Sequence, residues 1–189
     1  MQPPTTGEDL RVEWADAAQA ELRVAGLGLA RTAPDWIPAA VANYILGGST
    51  ITSRLGANLR EAKGWTYGVH TGFSAGVQPG GWVVATAVER EVAEEATREI
   101  LREIERLIQD GVPAAELRRA KEAMILSLPR AFETASRVVS RFATLEAYNL
   151  SLDYWERYAG AIEEVDEAEV VAAAARLFAP ERLIRVQVG

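Results

Sequence analysis

The sequence predicts an α+β domain, an antiparallel sheet of three or four strands covered on one side by helices. Three observations carry this. Stretches of alternating apolar residues near the start, in the middle and at the very end read as strands. Between residues 91 and 179 the apolar residues recur instead at helical spacing, so the helices are segregated from most of the strands. QPGG at Gln78–Gly81 is turn chemistry between two strand-like stretches, which makes them a hairpin.

The elements follow in order. MQPPTTGEDL opens a linker-like tail over residues 1–18, with none of the basic region and apolar core of a signal peptide. The expectation is that Met1 starts a piece of a longer protein. Residues 19–189 read as one domain, as about 100–200 residues usually do. Gln19–Ala30 is a strand with apolar Leu22, Val24, Leu27 and Leu29, and room for a bulge at Gly26–Gly28. Pro34 and Asp35 open a helix with a stripe at Ile37, Ala40, Val41, Tyr44 and Ile45, which Gly47 and Gly48 stop. A second short helix spans about Thr52 to Lys63, burying Leu55 and Leu59 and ending at Gly64.

Tyr67–Val77 is then a strand with one bulky face and one nearly bare face, the latter carrying Gly68, His70, Gly72, Ser74 and Gly76. Trp82–Glu89 is its hairpin partner. A helix follows with Val92, Ala96, Ile100, Ile104, Leu107 and Ile108 inward, ended by Asp110-Gly111. Pro113 begins the next, with Leu117, Ala120, Met124 and Leu128 as its stripe, and Pro129 interrupts it. The pattern resumes through Phe132, Val138, Val139, Phe142 and Leu145. Leu152–Glu163 is another helix. Asp166 with Glu169 forms a capping box for the last one, and Arg182–Val188 is the final strand.

Composition excludes several functions. Apolar residues make up 49% and charged ones 25%, the balance of a globular protein. With 27 acidic against 20 basic residues the net charge is −7, which repels phosphate backbones and excludes nucleic acid as a partner. No stretch approaches the roughly 18 apolar residues that a membrane helix needs. The absence of cysteine removes disulfides, thiolate metal sites and cysteine nucleophiles together. His70 is the one histidine, whereas the zinc-peptidase motif HxxEH and its reverse each need two on one helix. No GxSxG elbow surrounds any serine, so His70 reads as a strand residue on the sparse face. Glu94-Glu95 and Glu163-Glu164 read as solvated helix faces. GGST at Gly47–Thr50 lacks the lysine and spacing of a phosphate loop and reads locally as a helix stop plus a helix start.

One stretch is more specific. Leu46–Phe73, LGGSTITSRLGANLREAKGWTYGVHTGF, resembles the signature of the second, non-catalytic domain of pitrilysin-type zinc peptidases, a group that includes the mitochondrial processing peptidase and the insulin-degrading enzyme. GVPAAELRRAKEAM and IEEVDEAEVVAAAARLFAPERLIRVQVG resemble later parts of the same domain, so the likeness covers nearly the whole chain. It implies a metal-free, substrate-binding half of a zinc endopeptidase. No metal or other cofactor would sit in this chain; zinc would lie on a homologous metal-bearing domain or subunit, and the substrate would be a peptide. It further implies that Arg60 and, seven positions later, Tyr67 assist catalysis from across a chamber. The tyrosine hydroxyl would donate to the scissile carbonyl oxygen and the arginine would hold substrate backbone. Gly47 and Gly48 match the position of a longer glycine-rich substrate loop in a processing-peptidase subunit. On this reading the chain alone hydrolyses nothing. The alternative within the same family is a non-enzymatic scaffold or assembly subunit, like the respiratory-complex core proteins.

Overall fold

The computed structural model describes residues 6–189, so the first five residues of the linker-like tail lie outside it. Five strands form one sheet: β1 (Asp9–Val12), β2 (Ala20–Leu27), β3 (Val69–Phe73), β4 (Gly81–Val88) and β5 (Ile184–Val188), in the order β1-β5-β2-β4-β3. The helices are α1 (Trp36–Asn43), α2 (Ala93–Gln109), α3 (Ala114–Ser127), α4 (Ala135–Ala147), α5 (Tyr154–Glu164) and α6 (Glu167–Leu177). Two π-helical segments, Tyr44–Gly48 and Gly56–Ala62, connect α1 to β3. The α+β class holds, with strands β5, β2, β4 and β3 antiparallel as expected.

Two strands differ from the sequence reading. β1 forms inside the stretch read as linker-like and pairs in parallel with β5, Leu10 opposite Val186 and Val12 opposite Val188. Its four residues have little strand character of their own. The edge of β5, the Arg185–Asp9 ion pair and the hydrogen bond from Arg185 N to Glu8 O (2.7 Å) hold them there. β3 is shorter than Tyr67–Val77 at both ends: Tyr67 lies in a bend before it, and the chain leaves the sheet after Phe73.

The covered face of the sheet carries Leu22, Val24, Val69, Val84 and Val88, packed on Ala96, Ile100 and Ile104 of α2 and on Val170 and Ala174 of α6. Trp82 is the largest fully buried side chain. Its ring stacks on Phe178 (centroids 4.2 Å apart) and its Nε1 donates to Asn43 Oδ1 at 2.8 Å. Asn43 O in turn accepts from Thr71 Oγ1 at 3.1 Å, so one asparagine at the end of α1 ties two strands to a helix.

Alternation in β2 and β4 sends Ala25, Leu27, Val83, Ala85 and Ala87 to the other face, beside Ile184, Val186 and Val188 of β5. None of these is buried, and Leu10, Val12 and Leu27 are exposed. The sheet is therefore covered on one side only.

The helix boundaries follow the sequence signals closely. Gly111, at φ +75°, ends α2, and the Asp166–Glu169 capping box is present in both directions (2.9 and 3.0 Å). The stripe through α4 is the exception: Val139 and Phe142 are 67% and 51% exposed and only Leu145 is buried. No helix among the described residues is long and apolar enough to cross a membrane.

Replacing Trp82 separates its two roles. Trp82→Ala should cost about 3–5 kcal/mol. Trp82→Phe keeps an aromatic ring on Phe178 but strands the Asn43 carbonyl, for about 1–3 kcal/mol. Guanidinium unfolding curves check both: a cost-free Trp82→Phe would contradict the assigned hydrogen bond, and equal costs would contradict the role of the stacked ring.

Candidate functional site

The short helix that carries Arg60 is fixed at two points by partly buried polar contacts. Arg54 makes a two-pronged pair with Glu116 of α3 (2.7 and 3.0 Å) and also donates to Gly111 O at 2.8 Å. Four residues on, Asn58 Nδ2 donates to Glu99 Oε2 (2.8 Å) and Glu103 Oε1 (2.7 Å) of α2. Both carboxylates are buried, a costly placement unless each finds partners. Arg102 and Lys63 also reach Glu99, and Arg106 reaches Glu103 at 3.0 Å. Arg54 and Asn58 thus hold one face of the helix against α3 and α2. Arg60, in its last turn where a cation suits the helix dipole, is partly exposed with Nε 3.5 Å from Glu61.

Gly64 closes the helix at φ +65°, a conformation that side chains rarely adopt. Its N–H donates to Arg60 O at 3.1 Å, and Trp65 N–H donates to Leu59 O at 2.9 Å. Lys63 Nζ lies 4.5 Å from the centre of the Trp65 ring. The chain then turns through a hydroxyl cluster. Thr66 Oγ1 donates to Gly68 O (2.9 Å) and accepts from Gly68 N (3.1 Å). Thr86 Oγ1, from β4, lies 2.9 Å from Thr66 Oγ1 and 3.0 Å from Gly68 O. Thr66, Val69 and Thr86 are buried, while Tyr67 between them is 93% exposed. The bend is anchored from below and presents its phenol outward.

The remaining candidates fall in two places. Gly47 is buried, and a β-carbon there would collide with the Thr71 side chain, so it lets the Tyr44–Gly48 segment lie flat on β3. Gly48 is exposed. Thr50, just beyond it, packs beside both Gly56 and Gly68, which brings the GGST loop next to the Tyr67 bend. No hydrogen bond or ion pair joins Arg60 to Tyr67 among the described residues; they share a connection, not a contact. His70 is exposed on the open face of β3. Among the described residues no group of three or more His, Asp or Glu side chains is arranged to hold a metal ion, so the donor set does not fit zinc.

The tethers escaped the sequence reading, although signals existed. Glu99 and Glu103 are four apart and interleave with the apolar stripe at Ala96, Ile100 and Ile104, an unusual place for acids. Thr86 is the lone hydroxyl on the inward face of a strand otherwise filled by Trp82, Val84 and Val88.

The family model for the peptidase M16 inactive domain matches residues 1–124. No curated protein matches the chain. Among solved structures, the peptidase M16 inactive domain from Pseudomonas fluorescens superposes with a TM-score of 0.90 at 25% identity, covering 100% of this chain and 45% of that one. A protease from Helicobacter pylori gives 0.88 at 17% identity over 99% of this chain and 45% of that one. A chain of complex III2 from Candida albicans gives 0.82 at 18% identity over 97% and 46%. The chain therefore spans a little under half the length of these solved chains.

Asn58→Ala removes two hydrogen bonds to buried carboxylates and should destabilise the chain by about 1.5–3 kcal/mol. Amide exchange should rise first between residues 54 and 66. Uniformly unchanged exchange in that segment would contradict its tethering role.

Proposed function

Because the chain belongs to the peptidase M16 inactive-domain family, we propose that it is the metal-free, substrate-clasping half of a zinc endopeptidase. The zinc lies on a homologous domain or subunit, and Arg60 and Tyr67 reach the peptide from this side. The observation that carries the reading is Tyr67, a large aromatic side chain left 93% exposed on a bend whose flanking residues, buried Thr66 and half-buried Gly68, are hydrogen-bonded. A phenol at neutral pH is an uncharged donor, suited to a carbonyl oxygen as it gains negative charge. Because Thr66, Gly68 and Thr86 fix the backbone on either side, little has to be reorganised when substrate arrives. Arg60 offers a planar fork of N–H donors one turn before Gly64, suited to peptide carbonyls.

Two further features support a role as one half of a larger assembly. The open face of the sheet is lined by Ala25, Val83, Ala85, Val186 and other aliphatic residues beside the Glu21–Arg23 pair, a surface that another domain can cover or enclose. The net charge of −7 disfavours an anionic macromolecule as the substrate. A peptide backbone, neutral and rich in carbonyls, suits both residues.

The test is Tyr67→Phe in the enzyme reassembled with its metal-bearing partner. Loss of one such donor should lower kcat by ~10²–10³ with KM nearly unchanged. Unchanged turnover would overturn the assignment. A reassembled complex that cleaves no peptide would favour the scaffold reading.

A further inference from the structure

A second candidate site lies away from the Arg60–Tyr67 connection. Between the β2–α1 connection, α1 and the α3–α5 helices is an open cavity of about 860 Å³ that none of Gly47, Gly48, Arg60 or Tyr67 lines. Four arginines line it: Arg31, Arg130, Arg137 and Arg141. No aspartate or glutamate does, in a chain where acids outnumber bases by 27 to 20. Of the four, only Arg137 has a carboxylate partner among the described residues, Glu133 at 3.1 Å. Low-dielectric walls focus the field of such a cluster into the cavity.

Arg31 is the anchor. It is only 8% exposed, and its guanidinium sits between the rings of Trp36 (4.4 Å) and Tyr154 (4.9 Å). The rings offer it cation–π contact, its Nη1 is buried with no hydrogen-bond partner, and the hydroxyl of the neighbouring Tyr154 is buried and unpartnered as well. Trp36 Nε1 is likewise buried and unpartnered. A buried polar group without a partner is costly, and the three gathered around Arg31 leave this wall short of hydrogen-bond partners. Next to Tyr154, Arg141 lies 5.1 Å from the Trp155 ring, and Trp155 packs on Tyr158. Burial pushes the Tyr158 phenol up, reinforced by Tyr154 and opposed by Arg31 and Arg141, so it remains a neutral donor.

We propose that this cavity is a subsite for a carboxylate of an acidic peptide segment, with the neighbouring apolar or aromatic residue against Trp155 and Tyr158. A guanidinium matches a carboxylate in shape, and Arg31, stacked and pre-oriented, meets it without further ordering. The volume far exceeds a free oxyanion, and the aromatic half of the lining suits the adjoining side chain. The ligand class rests on the peptide-binding reading above, but the site does not depend on Arg60 or Tyr67.

The experiment is an NMR titration of the chain that follows the tryptophan indole N–H signals with three probes. They are acetyl-Ala-Glu-Phe-Ala-amide, the same peptide with Gln for Glu, and inorganic phosphate. The Glu peptide should bind at least tenfold more tightly than the Gln peptide and shift the Trp36 and Trp155 indoles. The double variant Arg130→Gln, Arg141→Gln should lose that preference, while Tyr67→Phe should keep it. Arg130 is exposed and Arg141 lines the open cavity, and a native-like spectrum confirms that the double variant folds. Equal binding of the two peptides overturns the proposal, as does a preference that survives in the double variant. Phosphate binding more tightly than the Glu peptide would overturn it in favour of a phosphate site. Loss of this subsite with turnover still sensitive to Tyr67→Phe would leave the functional reading standing, and the reverse result would separate them equally well.

Discussion

The Asn58 amide, set between the buried carboxylates of Glu99 and Glu103, is the contact on which the position of the functional connection depends. Buried carboxylates are costly and do not tolerate an idle partner, so the asparagine, and the short helix with it, is held at one height along α2. Arg60 follows within a turn, Gly64 reverses the chain, and Thr66 delivers it to the hydroxyl of Thr86 on β4. Tyr67 is placed by residues that never face the solvent it occupies.

The one-sided sheet gives that arrangement its wider meaning. The covered face is closed by Trp82, Phe178 and the stripes of α2 and α6, and it accounts for most of the core. The open face carries Val83, Ala85, Val186 and Val188 around the exposed Glu21–Arg23 ion pair of β2. A domain that has completed one core and left a second surface unpaired is physically suited to being one wall of a larger enclosure. Membership of the M16 inactive-domain family and a length just under half that of its solved relatives accord with that role. In such a division of labour one half supplies metal chemistry and the other supplies grip and hydrogen-bond donors.

Much of this was legible in the sequence where local chemistry decides structure. Gly64, Gly111 and the Asp166–Glu169 pair ended or began helices as their residue types dictate, and the stripe at Ala96, Ile100 and Ile104 found the core. The likeness running from Leu46 to Phe73 pointed to the family that the comparisons support. What stayed hidden depends on distant partners. β1 is a strand only because β5, some 175 residues later, offers it an edge. Tyr67 leaves the sheet because Thr66 bonds to Gly68 and Thr86 and not across a ladder. Val139 and Phe142 obey helical spacing, yet no described element covers the face they occupy. The Arg31 cavity assembles side chains more than a hundred residues apart, and no local pattern announces it.

The central claim is that this chain supplies a grip on peptide and not the metal that cuts it. Native mass spectrometry of the purified chain after equilibration with equimolar zinc, paired with a peptide-cleavage assay on the same sample, tests it most directly. The account predicts no stoichiometric metal adduct and no cleavage, with cleavage appearing only when a metal-bearing partner is added. An equimolar zinc adduct together with unaided peptide hydrolysis would contradict it.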